Sequence, residues 1–283
     1  MNHFRLGSTP SLFARQDPLE NLTCLKQAGY DCVDLGLFLN TDHPLFSLSS
    51  REFDEYCKTE AVRATDAGLQ ISQTHGPWRF PPQDFTEEDR AERFEKMSRS
   101  LHGTSVMGCP YMVIHPIMPY GAAGGDDVPR FFEINFDFFR RLCRVAEEEN
   151  VVICLENMPF PALPMTTPGQ ILDFVKAIDS PWLRICLDTG HSLVCGVQPC
   201  EAARITGSKY LKTLHVHDND GKGDWHHLPG DGIADWPAFA GALRDIGYEG
   251  VFSLETGLRS IPEEERSHRA AVLNEFLHTL ISG

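Results

Sequence analysis

Six short apolar runs of this 283-residue chain each end in a side chain that binds metals or moves protons. One run closes on Gln73-Thr74-His75-Gly76 and the next on Val113-Ile114-His115-Pro116. Cys154-Leu155-Glu156-Asn157 and Cys186-Leu187-Asp188-Thr189-Gly190-His191 follow, then His215-Val216-His217-Asp218-Asn219-Asp220. A loop carrying Asp224-Trp225-His226-His227 comes next, and Ser253-Leu254-Glu255-Thr256 ends the series. A single histidine after a strand usually serves a structural hydrogen bond. A whole set brought to one rim is different, because crowded imidazoles and carboxylates desolvate and repel one another unless a cation sits among them. Mixed nitrogen and oxygen donors suit a divalent transition ion such as Zn²⁺, Mn²⁺, Fe²⁺ or Co²⁺.

Spacing sorts the candidates. Alternate residues of a strand share a face, so His215 and His217 point the same way, inward or outward. If inward they lie at different depths. His217, nearer the strand end, is then the expected ligand, and His215 a buried histidine behind it. Asp188 and His191 are three apart across a strand end and turn, and reach neighbouring positions. Asp224 and His226 are two apart in a loop, where they form a further ligand pair or simply face solvent.

The elements that must position these groups alternate strictly. Strand-like runs are expected at 4–7, 32–35, 70–74, 111–115, 151–156, 183–188, 213–217 and 251–255. Amphipathic stretches fall at 18–28, 50–67, 86–107, 129–149, 168–178, 199–207, 236–246 and 262–281. Several of these begin at or just after a proline, the residue favoured in a helix's first turn. Eight strand–helix units in about 280 residues are the count of a (β/α)₈ TIM barrel, an α/β fold, here read as a single domain over 1–283. A doubly wound open sheet is the alternative, but no GxGxxG follows the first strand. The long loops 77–84, 116–127 and 218–235 all follow strands, which puts them over the C-terminal face where barrel active sites lie. Gly121-Ala122-Ala123-Gly124-Gly125 reads as a mobile lid.

The net charge of -15 opposes phosphate backbones, so nucleic acid is a poor partner. No apolar run reaches the ~18 residues of a membrane helix, and no signal peptide is apparent. The nine cysteines form no CxxC pair and read as reduced, mostly buried thiols of a cytoplasmic protein. The sequence does not fix the oligomeric state; a homo-oligomer built as an isologous dimer is the common default.

These segments resemble the xylose isomerase-like barrel superfamily, specifically its sugar phosphate isomerase/epimerase proteins. The resemblance covers nearly the whole chain and is strongest at Leu155-Glu156-Asn157, at Leu187-Asp188-Thr189-Gly190-His191 and from His215 through Gly232. It implies a divalent metal (Zn, Mn or Co) on Glu156, Asp188, His217 and Glu255. Glu156 and Glu255 are then acid and base, and His191 touches the substrate. The basic residue that follows the strand-seven histidine has Lys222 as its nearest counterpart. The superfamily also holds the AP endonucleases of the endonuclease IV type. That branch implies three zinc ions: one on His75, His115 and Glu156, one on Glu156, Asp188, His217 and Glu255, and one on His191, Asp224 and His226.

The expected chemistry is isomerisation or epimerisation of a small sugar, sugar phosphate or keto-polyol by proton transfer through an enediolate. Dehydration of a keto-polyol needs the same enolate and stays open, as does a zinc phosphoesterase. His75 and Trp78 are candidates for substrate contact. Phe80, Trp225 and Trp236 are further rim aromatics, and Arg259 lies four residues past Glu255.

Overall fold

The computed structural model describes residues 4–82 and 84–282. Residue 83 of the expected loop 77–84, and residues 1–3 and 283 of the expected domain, lie outside them. Eight strands form one parallel sheet: β1 (Arg5–Ser8), β2 (Cys32–Leu35), β3 (Gln70–His75), β4 (Tyr111–Ile114), β5 (Val152–Glu156), β6 (Leu183–Asp188), β7 (Leu211–His215) and β8 (Val251–Leu254). They pair in the order β7-β6-β5-β4-β3-β2-β1-β8. Val216, just past β7, closes the ring: its N–H reaches Ser253 at 2.8 Å and its carbonyl accepts from Glu255 at 3.1 Å. This is the expected (β/α)₈ barrel.

The helices are α1 (Pro18–Gln27), α2 (Ser50–Asp66), α3 (Glu87–Val106), α4 (Val128–Glu149), α5 (Pro168–Ile178), α6 (Thr189–Val194), α7 (Pro199–Tyr210), α8 (Trp236–Asp245) and α9 (Glu263–Ser282). Their starts are written in the sequence. Ser49/Glu52, Thr86/Asp89 and Thr167/Gln170 form reciprocal capping boxes, and α1, α4, α5, α7 and α8 carry proline in the first turn. The short α6 was not expected, because its six residues leave β6 with no intervening loop.

The main core lies between barrel and helices, where Phe131, Phe138, Phe139, Phe239 and Phe252 are buried. A second, smaller cluster fills the barrel itself: Val113, Cys154 and Cys186. Two residues beyond each of these, on the same face of its strand, come His115, Glu156 and Asp188. The apolar plug is therefore the support on which the polar rim stands. All nine cysteines are free thiols. Among the described residues no helix is long and apolar enough to cross a membrane.

Candidate metal centre and active site

Strand pairing decides which histidine joins the carboxylates. The β6–β7 register breaks between Ile185 and Cys186, after which Thr213 pairs with Cys186 and His215 with Asp188. His215, not His217, thus stands level with Asp188. One ligand atom from each of Glu156, Asp188, His215 and Glu255 lies within 4.8 Å of all the others. His217, expected in this set, is grouped elsewhere, although its Nε2 lies 2.9 Å from Asp188 Oδ2. Strand β7 ends two residues earlier than its apolar pattern suggested, and His217, buried just past the strand end, belongs to a second group. That group is His191, His217, Asp224 and His226, again within 4.8 Å. His75 joins Glu156 and His215 in a third.

Hydrogen bonds behind the rings fix which nitrogen faces inward. His215 donates from Nε2 to Asp34 Oδ2 at 3.0 Å, and Gln73 Nε2 donates to the same oxygen at 2.9 Å. This leaves His215 Nδ1 aimed at Glu156 Oε1 (2.9 Å) and Glu255 Oε2 (3.3 Å). Three more histidines are pinned through Nδ1 to backbone carbonyls: His75 to Gly76 (2.8 Å), His191 to Asn157 (2.8 Å) and His226 to Glu255 (2.7 Å). Each then points Nε2 at a carboxylate. For His75 it is Glu156 at 3.5 Å, and for His191 and His226 it is Asp224, at 3.3 Å in each case. Carbonyl- or carboxylate-anchored imidazoles are the usual support of metal ligands, since the anchor sets both tautomer and ring angle.

Glu156 supplies the sharper sign. Its Oε2 is buried and faces His115 Nε2 at 2.9 Å and His75 Nε2 at 3.5 Å, yet neither ring makes a well-aligned hydrogen bond to it. A buried carboxylate oxygen left in this way is costly unless a cation takes its lone pairs. The donor set of carboxylates and neutral imidazoles fits a divalent transition ion.

The electrostatics agree. Burial raises the Glu156 carboxyl, but His215 and His115 outweigh it and hold the group well below the usual carboxylate range. Burial pushes Glu255 upward, and Glu156 adds to the rise. For His191 burial is overcome by Asp188 and Asp224, so the ring is pushed up to about 10. His226 reaches about 9 in the same way, mainly through Asp224. His115, where burial wins, drops to about 4. Protons on the rings and a bound cation are alternative ways of balancing one set of carboxylates.

The quoted motifs now have local reasons. Asp188 Oδ1 accepts from His191 N (2.6 Å) and so caps α6 while Oδ2 meets His217 (2.9 Å). Thr189 Oγ1 clamps the His217 backbone, donating to its carbonyl at 2.7 Å and accepting from its N–H at 3.0 Å. At Gly190 a Cβ would sit 2.1 Å from His217 Cε1. Asn157 exchanges two 2.9 Å bonds with the Asp188 backbone and locks the ends of β5 and β6 together. Asp218 accepts from Asn219 N, Gly230 N, Ala234 N and Trp236 Nε1, and so folds the loop that delivers Asp224 and His226.

Above the ligands opens a cavity of about 510 Å³. His75, His115, Glu156, His191, Asp224, His226 and Glu255 form its floor, and Trp78 and Phe80 stand in its wall as anticipated. Lys222 does not line it. It is exposed, and its backbone N–H meets Asp220. Trp225 is 59% exposed and bonded to Asp220, and Trp236 is buried against Asp218; neither reaches the cavity. The glycine-rich segment 121–125 packs on Phe85, Tyr120 and Ala162 and is not part of the cavity lining. Asp34 and Phe160 were missed. Asp34 is the one acid in a fully buried four-residue strand, which was its only signal.

With this geometry in hand, kinship can be weighed. Residues 22–276 match the profile of the family described as xylose isomerase-like TIM barrel. The chain belongs to that family. An uncharacterized protein of Methanocaldococcus jannaschii is 30% identical over 208 residues, 72% of this chain and 69% of that protein. A D-psicose 3-epimerase of Ruminiclostridium cellulolyticum is 33% identical over 129 residues, 45% of this chain but only 42% of that enzyme. The L-ribulose-5-phosphate 3-epimerase UlaE of Salmonella paratyphi A is 22% identical over 238 residues, 84% of this chain and 81% of the relative. Among solved structures, a D-psicose 3-epimerase with D-fructose superposes with a TM-score of 0.76 at 16% identity, covering 98% of this chain and all of that one. The zinc-containing IOLI protein gives 0.75 at 18% identity, covering 96% and 97%. At such identities the structural likeness establishes the fold alone.

Proposed function

We propose that this protein is a divalent-metal-dependent isomerase or epimerase of a small sugar or keto-polyol. The observation that supports this best is the convergence of Glu156, Asp188, His215 and Glu255 at the base of a cavity large enough for a sugar. These four residues would hold the ion, with Asp34 and Gln73 steadying His215 from behind. When bound, such an ion supplies Lewis-acid stabilisation of an enediolate.

The chain's own groups supply the rest. Glu255 is the carboxylate suited to take the proton. Its side chain is 22% exposed toward the cavity, and burial lifts its proton affinity toward that of a general base. Glu156, on a different strand, is held ionised, so it returns a proton on the other side only after drawing one from solvent in the cavity it lines. Return to the same carbon inverts it, and return to the neighbouring carbon isomerises. His191, lining the cavity from α6, orients a substrate oxygen. Epimerase relatives support the same reading. The test is solvent exchange: candidate sugars in D₂O should take up deuterium at the carbon beside the carbonyl. Glu255→Gln should slow this by about a hundred- to ten-thousandfold, the usual worth of a general base. No exchange with any sugar under any cation would sink the proposal.

A second reading rests on the His191, His217, Asp224 and His226 cluster, which could hold a further ion and supports a zinc phosphoesterase. Elemental analysis separates the two. About one divalent ion per chain favours the isomerase, whereas three zinc ions, with activity lost in His75→Ala and Asp224→Ala, would point to phosphoester substrates.

A further inference from the structure

The cavity is chemically two-faced. Every ionisable group sits on its floor, and the upper wall is made of Leu39, Trp78, Phe80, Met158, Pro159 and Phe160. No lysine or arginine lines it among the described residues. The cations nearby are committed elsewhere. Arg93 pairs with Asp84 and lies against Trp78 at 5.7 Å, and Lys222 is exposed and outside the lining. A phosphoryl group on the far end of a substrate would therefore meet hydrocarbon and lose its hydration without a partner.

The upper wall is also organised. Phe80, from the loop after β3, and Phe160, from the loop after β5, lie parallel: their planes differ by 5° and their centroids are 6.1 Å apart. Trp78 extends the same surface, 6.4 Å from Phe80. Phe80 nevertheless leaves 66% of its surface exposed, so a large apolar area at the mouth awaits cover. The volume, about 510 Å³, exceeds what one sugar ring over the floor requires.

We propose that the natural substrate is an uncharged sugar with a free carbonyl that carries a flat apolar substituent, such as an aryl glycoside bearing a ketone on its sugar ring. Its sugar lies over the carboxylates and imidazoles, and its ring lies against Phe80, Phe160 and Trp78. This rests on the isomerase/epimerase reading for the floor but adds a subsite that the reading does not require.

The test is calorimetric binding to the metal-loaded protein, using matched phenyl glycosides, methyl glycosides and sugar phosphates of several common hexoses and pentoses. The best phenyl glycoside should bind about tenfold more tightly than its methyl partner, the value of roughly 60 Å² of apolar surface removed from water. Sugar phosphates should bind least. Phe80→Ala and Phe160→Ala should each shrink the phenyl-to-methyl ratio severalfold with the metal content unchanged. Equal binding of phenyl and methyl partners, tighter binding of phosphates, or no binding of any phenyl glycoside overturns the proposal. Deuterium exchange on free sugars, sugar phosphates and the ring-keto derivatives of the same glycosides separates the two claims. A tenfold phenyl preference without exchange removes the isomerase chemistry and keeps the subsite. Exchange with phosphorylated or plain sugars, but no phenyl preference, removes the subsite and keeps the chemistry.

Discussion

Replacing Asp34 by Asn changes one atom and removes one charge behind the metal centre. Asp34 is 1% exposed, and its Oδ2 accepts two hydrogen bonds at once, from His215 Nε2 at 3.0 Å and from Gln73 Nε2 at 2.9 Å. An amide of the same shape has only one oxygen. It can keep both bonds by standing where Oδ2 stands, but its NH₂ then replaces Oδ1, which is buried without a hydrogen-bond partner, and the negative charge is gone. The imidazole also loses the carboxylate that makes Nδ1 a better donor. Losing such a partner usually weakens metal binding by about ten- to a hundredfold, roughly 1.4–2.7 kcal/mol. Chelator competition at fixed pH, fitted for the tightest site, reads this directly. Circular dichroism checks that the fold persists. A dissociation constant within twofold of wild type, in a folded protein, would refute the claim that His215 is a ligand held by Asp34.

Three further outcomes follow. His215→Ala should abolish the tightest ion site, whereas His217→Ala should spare it and weaken a second, lower-affinity ion; the same chelator titration distinguishes them, and equal losses would contradict the two-cluster assignment. Gly190→Ala places a methyl 2.1 Å from His217 Cε1, so overpacking of about 1–3 kcal/mol should lower the melting temperature by several degrees and displace His217. His102 bridges α2 to α4, with Asp54 at 3.0 Å and Glu149 at 3.1 Å; burial lowers its proton affinity, but these partners win and raise it above the usual 6.5. Its contribution is therefore full below about pH 6.5 and lost as pH rises through the raised value. Because the ring is 42% exposed, the effect is screened to a few tenths of a kcal/mol. Denaturation curves of wild type and His102→Gln should converge at alkaline pH, and a gap that widens there would be the wrong sign.

Much of this architecture is legible in the sequence because its signals are local. Capping residues, first-turn prolines and short apolar runs mark the eight units, and the strand ends advertise the ligands. The choice between His215 and His217 is not local. Both fit the same period-two face, and only the register with β6, shifted between Ile185 and Cys186, says that the His215 backbone pairs with Asp188 while the His217 ring reaches its carboxylate. Asp34 escapes notice for a similar reason. Its importance comes from His215, 181 residues away in the chain. That Lys222 does not line the cavity was not legible either, because nearness in sequence to the strand-seven histidine says nothing of where an exposed loop turns its side chain. Phe160 was hidden among the prolines of a loop whose course no periodicity describes.

The carbonyl anchors of His75, His191 and His226 have an evolutionary consequence. Each ring takes its bearing from the peptide backbone at a strand end, at Gly76, Asn157 or Glu255, rather than from a neighbouring side chain. Substitutions in the overlying wall, at Leu39, Phe80, Met158 or Phe160, leave those bearings untouched. The chain thus separates an inherited chemical floor from an upper surface free to drift toward new substrates, so descendants could change what they recognise without relearning how to react.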